Sequence, residues 1–258
     1  MRRRGLTIAA GGLSLLLALG AQAAAACPGR MTIWDLRIGA SVSEIPDRFV
    51  DYACGTRGGP PSRPLANFSD YARCPADERG LHEVYFRYDD EQEFIARALE
   101  QARAIEMCEG TRVFGIAVTA SALFDAAGAL QGIRIVTDPR GAEPADRSDH
   151  WALGAMLRHH FGDAGWVCRD IPAAEGETPV ATYFIKDECA KTSGNAALLV
   201  RRAYLHRRGE NFTDEFGRVQ ATSFFSNTYF EMMRIDSEAA APAPARRGPI
   251  GAAPPDRE

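Results

Sequence analysis

Residues 113–137 read VFGIAVTASALFDAAGALQGIRIVT. Two runs rich in β-branched and apolar residues, 113–124 and 129–137, flank Asp125-Ala126-Ala127-Gly128, a turn-forming tetrapeptide, so the stretch reads as an antiparallel hairpin. Just upstream, Val84, Phe86 and Tyr88 alternate with Tyr85 and Arg87 and predict a strand. Between them Asp89-Asp90-Glu91 leads into a helix whose Phe94, Ile95, Ala98, Leu99, Ala102 and Ile105 form one apolar stripe, the pattern of a core-facing helix. Asp90 and Glu93 have capping-box spacing, which accounts for the acidic run without a cation site.

Further out, Ile45, Phe49 and Tyr52/Ala53 recur at helical spacing and predict a first helix over 45–53. Ser41 and Glu44 ahead of it fit a capping box. Residues 55–64 contain Gly-Gly-Pro-Pro and form a loop. On the other side of the hairpin, 139–147 reads as a linker, 149–161 as a helix behind Ser148, and 180–186, 197–206 and 223–235 as strands. The repeated βαβ alternation of a doubly wound fold is missing. The fold class is therefore α+β, an antiparallel sheet with helices packed on one face. The chain divides into 27–138 and 148–237, which read as two similar α+β halves, and an Ala/Pro tail at 238–258 expected to be disordered.

Six cysteines, Cys27, Cys54, Cys74, Cys108, Cys168 and Cys189, permit 15 pairings. Cys54 with Cys74 and Cys168 with Cys189 would each close a loop of about twenty residues, the kind of segment a crosslink restrains, and would leave Cys27 and Cys108 to each other. Without a C-x-x-C, neither a dithiol redox motif nor a zinc spacing is present. Residues 1–26 have the basic, apolar and small-residue regions of a secretory signal peptide, which places the cysteines in an oxidising compartment, periplasmic or secreted. Cys27 follows three alanines, so a lipid anchor there is the alternative to simple cleavage. No transmembrane segment follows.

All but two of the 30 basic residues are arginines, Lys186 and Lys191 being the exceptions, and the formal charge is −4. An acidic exported chain is poorly suited to nucleic acid. G-x-S-x-G, S-x-x-K, H-E-x-x-H and P-loop motifs are all missing, and no cofactor or metal is expected. His150 and His159 fall on opposite sides of their helix, and His160 lies toward its apolar side. His82, His150 and His206 are the candidates if the chain is a hydrolase with an unfamiliar site; a small-ligand carrier would instead need a deep apolar cavity. Arg201 and Arg202 alternate on a strand and cannot form one patch.

Ile38-Gly39-Ala40-Ser41 followed by Glu44, and Leu123-Phe124-Asp125 with Gly128 and Ile133-Arg134-Ile135, resemble the small α+β modules of bacterial outer-membrane assembly lipoproteins and of β-lactamase-inhibitor-like proteins. The likeness covers a minor part of the chain and carries no site residue over. It implies binding of a partner rather than catalysis. The expected function is binding of a protein or envelope partner, with Arg57, Phe68 and Tyr71, gathered on the Cys54–Cys74 loop, as the expected binding residues.

Overall fold

The computed structural model describes residues 30–140, 147–209, 211–213, 218–221 and 224–235. The signal segment, most of the linker and the Ala/Pro tail lie outside the described residues. The strands in chain order are β1 (Phe49–Cys54), β2 (His82–Tyr88), β3 (Arg112–Val113), β4 (Ile116–Phe124), β5 (Leu130–Thr137), β6 (Val167–Asp170), β7 (Glu177–Thr178), β8 (Ile185–Ser193), β9 (Ala196–Arg207), β10 (Asn211–Thr213), β11 (Val219–Ala221) and β12 (Phe225–Arg234). The helices include α1 (Glu91–Ala98), α2 (Ala102–Met107) and α3 (Leu153–His160), with 3₁₀ turns at Ile33–Asp35, Val42–Glu44, Phe68–Arg73 and Asp149–Ala152.

The fold is α+β, dominated by one antiparallel ten-stranded sheet in the order β1-β2-β4-β5-β12-β9-β8-β6, with β3 on β4 and β7 on β9. Each half contributes a four-stranded meander, β1-β2-β4-β5 and β6-β8-β9-β12, and the two join through their last strands, β5 and β12. The last described strand, β12, thus fills the middle of the sheet. After β5 the chain must cross four inter-strand spacings, about 19 Å, to reach β8's outer neighbour β6. The turn at Asp149–Ala152 and α3 make that crossing, packed on β9 and β12.

One face of the sheet carries the main core. On the N-terminal half, Phe49 stands 4.3 Å from Phe86 and 5.8 Å from Phe68, and Phe68 stands 5.5 Å from Phe124, ring to ring. On the C-terminal half Leu153 and Leu157 of α3 are fully buried. There Phe161 stacks on Phe230 at 5.5 Å while Trp34 meets both edge-on. The hairpin closes as its sequence demands: the Asp125 carboxylate accepts from the backbone of Ala127 and Ala129, and Gly128 takes a φ of 80° that a side chain would resist.

Several local expectations are overturned. Ser41 and Glu44 do form a reciprocal cap, but it closes a single 3₁₀ turn, and 49–54 is a strand, not the end of a helix. Ile45 precedes Pro46, which disfavours helical backbone there. The register then slips between Val50 and Ala53, with Asp51 at a φ of 54°. That irregularity puts Phe49 and Tyr52 both in the core at a spacing that imitates a helix. The long helix of 94–105 is broken, with Glu100 at a φ of 54° separating α1 from α2. Its cap differs too: Asp89 accepts from Glu91 N, while Asp90 pairs with Arg87. Residues 180–183 form a tight turn, so the strand placed at 180–186 begins at Ile185 and runs to Ser193. Strand β6 was not foreseen.

Phe230 is fully buried on the strand that unites the halves. Phe230→Ala is expected to lower stability by about 3–5 kcal/mol, measured by urea unfolding.

Candidate interaction surface

The opposite face of the sheet holds the most constrained polar group. Arg134, in the middle of β5, has a side chain only 2% exposed. It lies directly across from Glu231 of β12. Its Nη2 donates to Glu231 Oε2 at 2.7 Å, its Nε donates to the Tyr229 hydroxyl at 2.9 Å, and its Nη1 donates to Glu83. The Tyr229 hydroxyl donates to Glu231 Oε2 at 2.6 Å, and Arg79 Nη1 donates to Oε1 at 2.6 Å. Arg79 is in turn held by Asp77 at 3.1 Å.

Burial alone would push the Glu231 carboxyl up. The Arg134 and Arg79 guanidiniums and the Tyr229 hydroxyl outweigh it and hold that carboxyl down to about 2. Burial pushes the Tyr229 phenol up, and Glu231 beside it acts the same way. Every charge here faces an opposite one, so the cluster binds itself together; it is a tether between the sheet and the loops above it. Glu83 Oε2 accepts from Arg57 N at 3.1 Å, fastening the loop at 55–64, and Asp77 and Arg79 fasten the loop at 75–81. Gly58, at a φ of 91°, lies so close to Val136 that a Cβ would stand 2.6 Å from its side chain. The 55–64 loop is thus laid flat on the sheet.

The three expected binding residues do not share one exposed surface. Phe68 is 3% exposed and part of the aromatic core on the other face. Tyr71 sits over Phe124 and donates its hydroxyl to Ala126 O at 3.2 Å, bracing the hairpin turn. Both are drawn inward because the Cys54–Cys74 bond anchors their 3₁₀ turn, Phe68–Arg73, beside β1 and β2. Tyr71 stays half-buried, and Arg57, with a side chain 60% exposed, stays at the surface.

The histidines do not converge. His82 is bound through Nδ1 to Cys74 O at 2.7 Å, His150 is buried beneath β12, and His206 is exposed at the end of β9. Four strand spacings, about 19 Å, separate β2 from β9. His160, expected on the buried side of its helix, is exposed, though its ring stands 5.3 Å from Trp34. Arg201 and Arg202 do point to opposite faces, pairing with Glu188 and Asp187 respectively. Among the described residues no group of three His, Cys, Asp or Glu side chains could hold a metal.

What the sequence reading missed is the apolar surface left on α1. Phe94 is 74% exposed and Leu99 61%, with Ile95 between them also exposed, while Ala96 alone of the helix is buried. The stripe expected to face the core faces outward because α1 packs mainly against α2. Glu93 accepts from the Gly110 backbone, which pins α1 to this excursion, and pairs within the helix with Arg97 at 2.6 Å. The signal was present in the sequence as a stripe; its orientation was not. Elsewhere a hollow of ≈ 310 Å³, open to solvent, is lined by Leu36, Arg37, Phe161, Leu198 and Met232 among others.

Both Cys54–Cys74 and Cys168–Cys189 are disulfides, as the spacing suggested. Cys108 is oxidised as well, and Cys27, its expected partner, lies outside the described residues. These bonds are what an oxidising compartment sustains. Among the described residues no helix is long and apolar enough to cross a membrane. No family model, no curated protein and no solved structure matches this chain.

Because the folded Glu231 pKa lies below its ordinary value of 4.5, its contribution is complete above that value and is lost as pH falls from about 4.5 toward 2. The amount is about 3 kcal/mol. Glu231→Gln is expected to cost about 3–5 kcal/mol at pH 7, by leaving Arg134 underpaired. The gap between the two proteins should narrow at pH 3, as read by urea unfolding at both pH values.

Proposed function

We propose that the chain is an exported, periplasmic or secreted protein that binds a protein or envelope component, with α1 as its principal contact. The observation that carries this reading is the exposed apolar side of α1. Phe94, Ile95 and Leu99 stand together on an excursion held away from the sheet. Water is a poor neighbour for such a stripe, and an apolar patch rimmed by charge is the ordinary form of a protein-contact site. Glu91, Glu93 and Arg97 supply the charged rim.

The signal-peptide reading and the oxidised cysteines support the compartment. The resemblance to partner-binding α+β modules of the bacterial envelope points the same way. Arg57, exposed and held by its backbone at a φ of 59°, is a second contact on the opposite side of the cysteine loop. Phe68 and Tyr71 serve the fold instead.

Leu99→Asp is expected to leave thermal unfolding within about 0.5 kcal/mol of the parent, since the side chain is exposed. The same change should weaken capture of the natural partner from envelope extracts at least tenfold, scored by crosslinking from position 94 and mass spectrometry. Undiminished capture would remove α1 as the contact. Copurification of a stoichiometric small molecule would favour a carrier.

A further inference from the structure

Of the two disulfides whose cysteines are both described, one is enclosed and one is open. Cys54 and Cys74 are 1% and 3% exposed. Loop residues also cover the β1 edge, where Cys54 N donates to Arg63 O and Leu65 N donates to Tyr52 O. Cys168, by contrast, lies on β6, the outermost strand at the other end of the sheet, all four of whose residues are exposed. Its partner Cys189 is directly opposite on β8 and fully buried. A small molecule can therefore reach one sulfur of this bond and not the other.

The buried side of the same bond has an unusual neighbour. Arg158 of α3 brings Nη1 to 3.5 Å from Cys168 Sγ and 3.4 Å from Cys189 Sγ. Its Nε is buried without a hydrogen-bond partner, and no carboxylate pairs with it among the described residues. The nearest acidic side chain along β8 on that face, Asp187, is taken by Arg202. Glu188 projects to the other face, between Arg169 and Arg201. The guanidinium charge is thus directed at the sulfurs and is not spent on a carboxylate. A cation beside sulfur favours the thiolate, and a sulfur that leaves readily as thiolate makes its disulfide quicker to exchange.

We propose that Cys168–Cys189 is a thiol-exchange site that accepts a small-molecule thiolate at Cys168. The incoming sulfur bonds to Cys168 Sγ, the Sγ–Sγ bond breaks, and its electron pair leaves on Cys189 as a thiolate facing Arg158. A second thiolate then attacks the small-molecule sulfur of the mixed disulfide. It releases the oxidised small-molecule disulfide and the Cys168 thiolate, so two thiols supply the two electrons that reduce one cystine. The fold consequence is local: β6 loses its covalent tie and is held to β8 by its ladder alone.

The test uses the full exported chain, folded, in neutral buffer with reduced glutathione, quenched at intervals by alkylation and mapped by mass spectrometry. Cys168 and Cys189 should become labelled about tenfold or more faster than Cys54 and Cys74. Arg158→Met should slow that labelling about five- to tenfold, and Arg158→Lys, which keeps the charge, should recover most of the rate. Loss of the fold in the Met variant would speed labelling at Cys54 and Cys74 too, so the ratio of the two rates is the quantity read. The wild-type ratio stands independently of that variant. Equal rates at the two disulfides in the wild type would overturn the exchange site. A Met variant that keeps the wild-type ratio would overturn the role of Arg158.

Discussion

The pairing of Arg134 with Glu231 across β5 and β12 is the contact on which the rest of the structure depends. A guanidinium buried in the middle of a sheet is tolerable only when carboxylates neutralise it and its N–H groups find acceptors. Glu231 arrives on β12, the last described strand, Glu83 on β2, and Tyr229 completes the shell. The charge therefore makes the central register a matter of chemistry as well as shape. A slip of β12 by one residue would put Glu231 on the other face and leave Arg134 unpaired.

The same cluster explains how long connections are kept in order. The loop at 55–64 and the loop at 75–81 have few apolar residues to bury, yet both lie against the sheet because Glu83, Asp77 and Arg79 draw them onto Arg134 and Glu231. The Cys54–Cys74 bond restrains the chain between those loops and turns Phe68 into the core. In the second half Cys168–Cys189 ties the outermost strand to its neighbour. Each meander thus has one cysteine of a crosslink on its first strand, bonded in one case to a 3₁₀ turn and in the other to the neighbouring strand, with separations of 20 and 21 residues.

A division of labour across the molecule follows. The two sheet faces are occupied, one by aromatic packing and α3, the other by the charged cluster and its loops over the N-terminal half. Apolar surface is left where the chain steps off the sheet between β2 and β4, at α1. That excursion interrupts the first meander without disturbing its register, since β2 and β4 still pair from His82 to Phe86. A segment so placed can vary in contacts without cost to the core, which is where binding residues are commonly carried.

Local pattern determined much of this. The 113–137 hairpin, the β2 alternation, the last two long strands, the α+β class and the two disulfide loops were all legible, because period, turn chemistry and cysteine spacing act over a few residues. The misreadings share one cause. Phe49 and Tyr52 imitate helical spacing only because a β irregularity resets the alternation, and the α1 stripe is amphipathic whichever way it faces. Arg134 stood in plain view inside an apolar strand, but its partners lie 51 and 97 residues away. The sequence alone determined which segments would be extended, which would turn and which cysteines were near enough to pair. Only the tertiary structure decided that the last strand enters the centre, that Phe68 points inward and Phe94 outward, and that one disulfide is open. Those outcomes depend on which distant surface arrives to cover each side chain, and no local period records that.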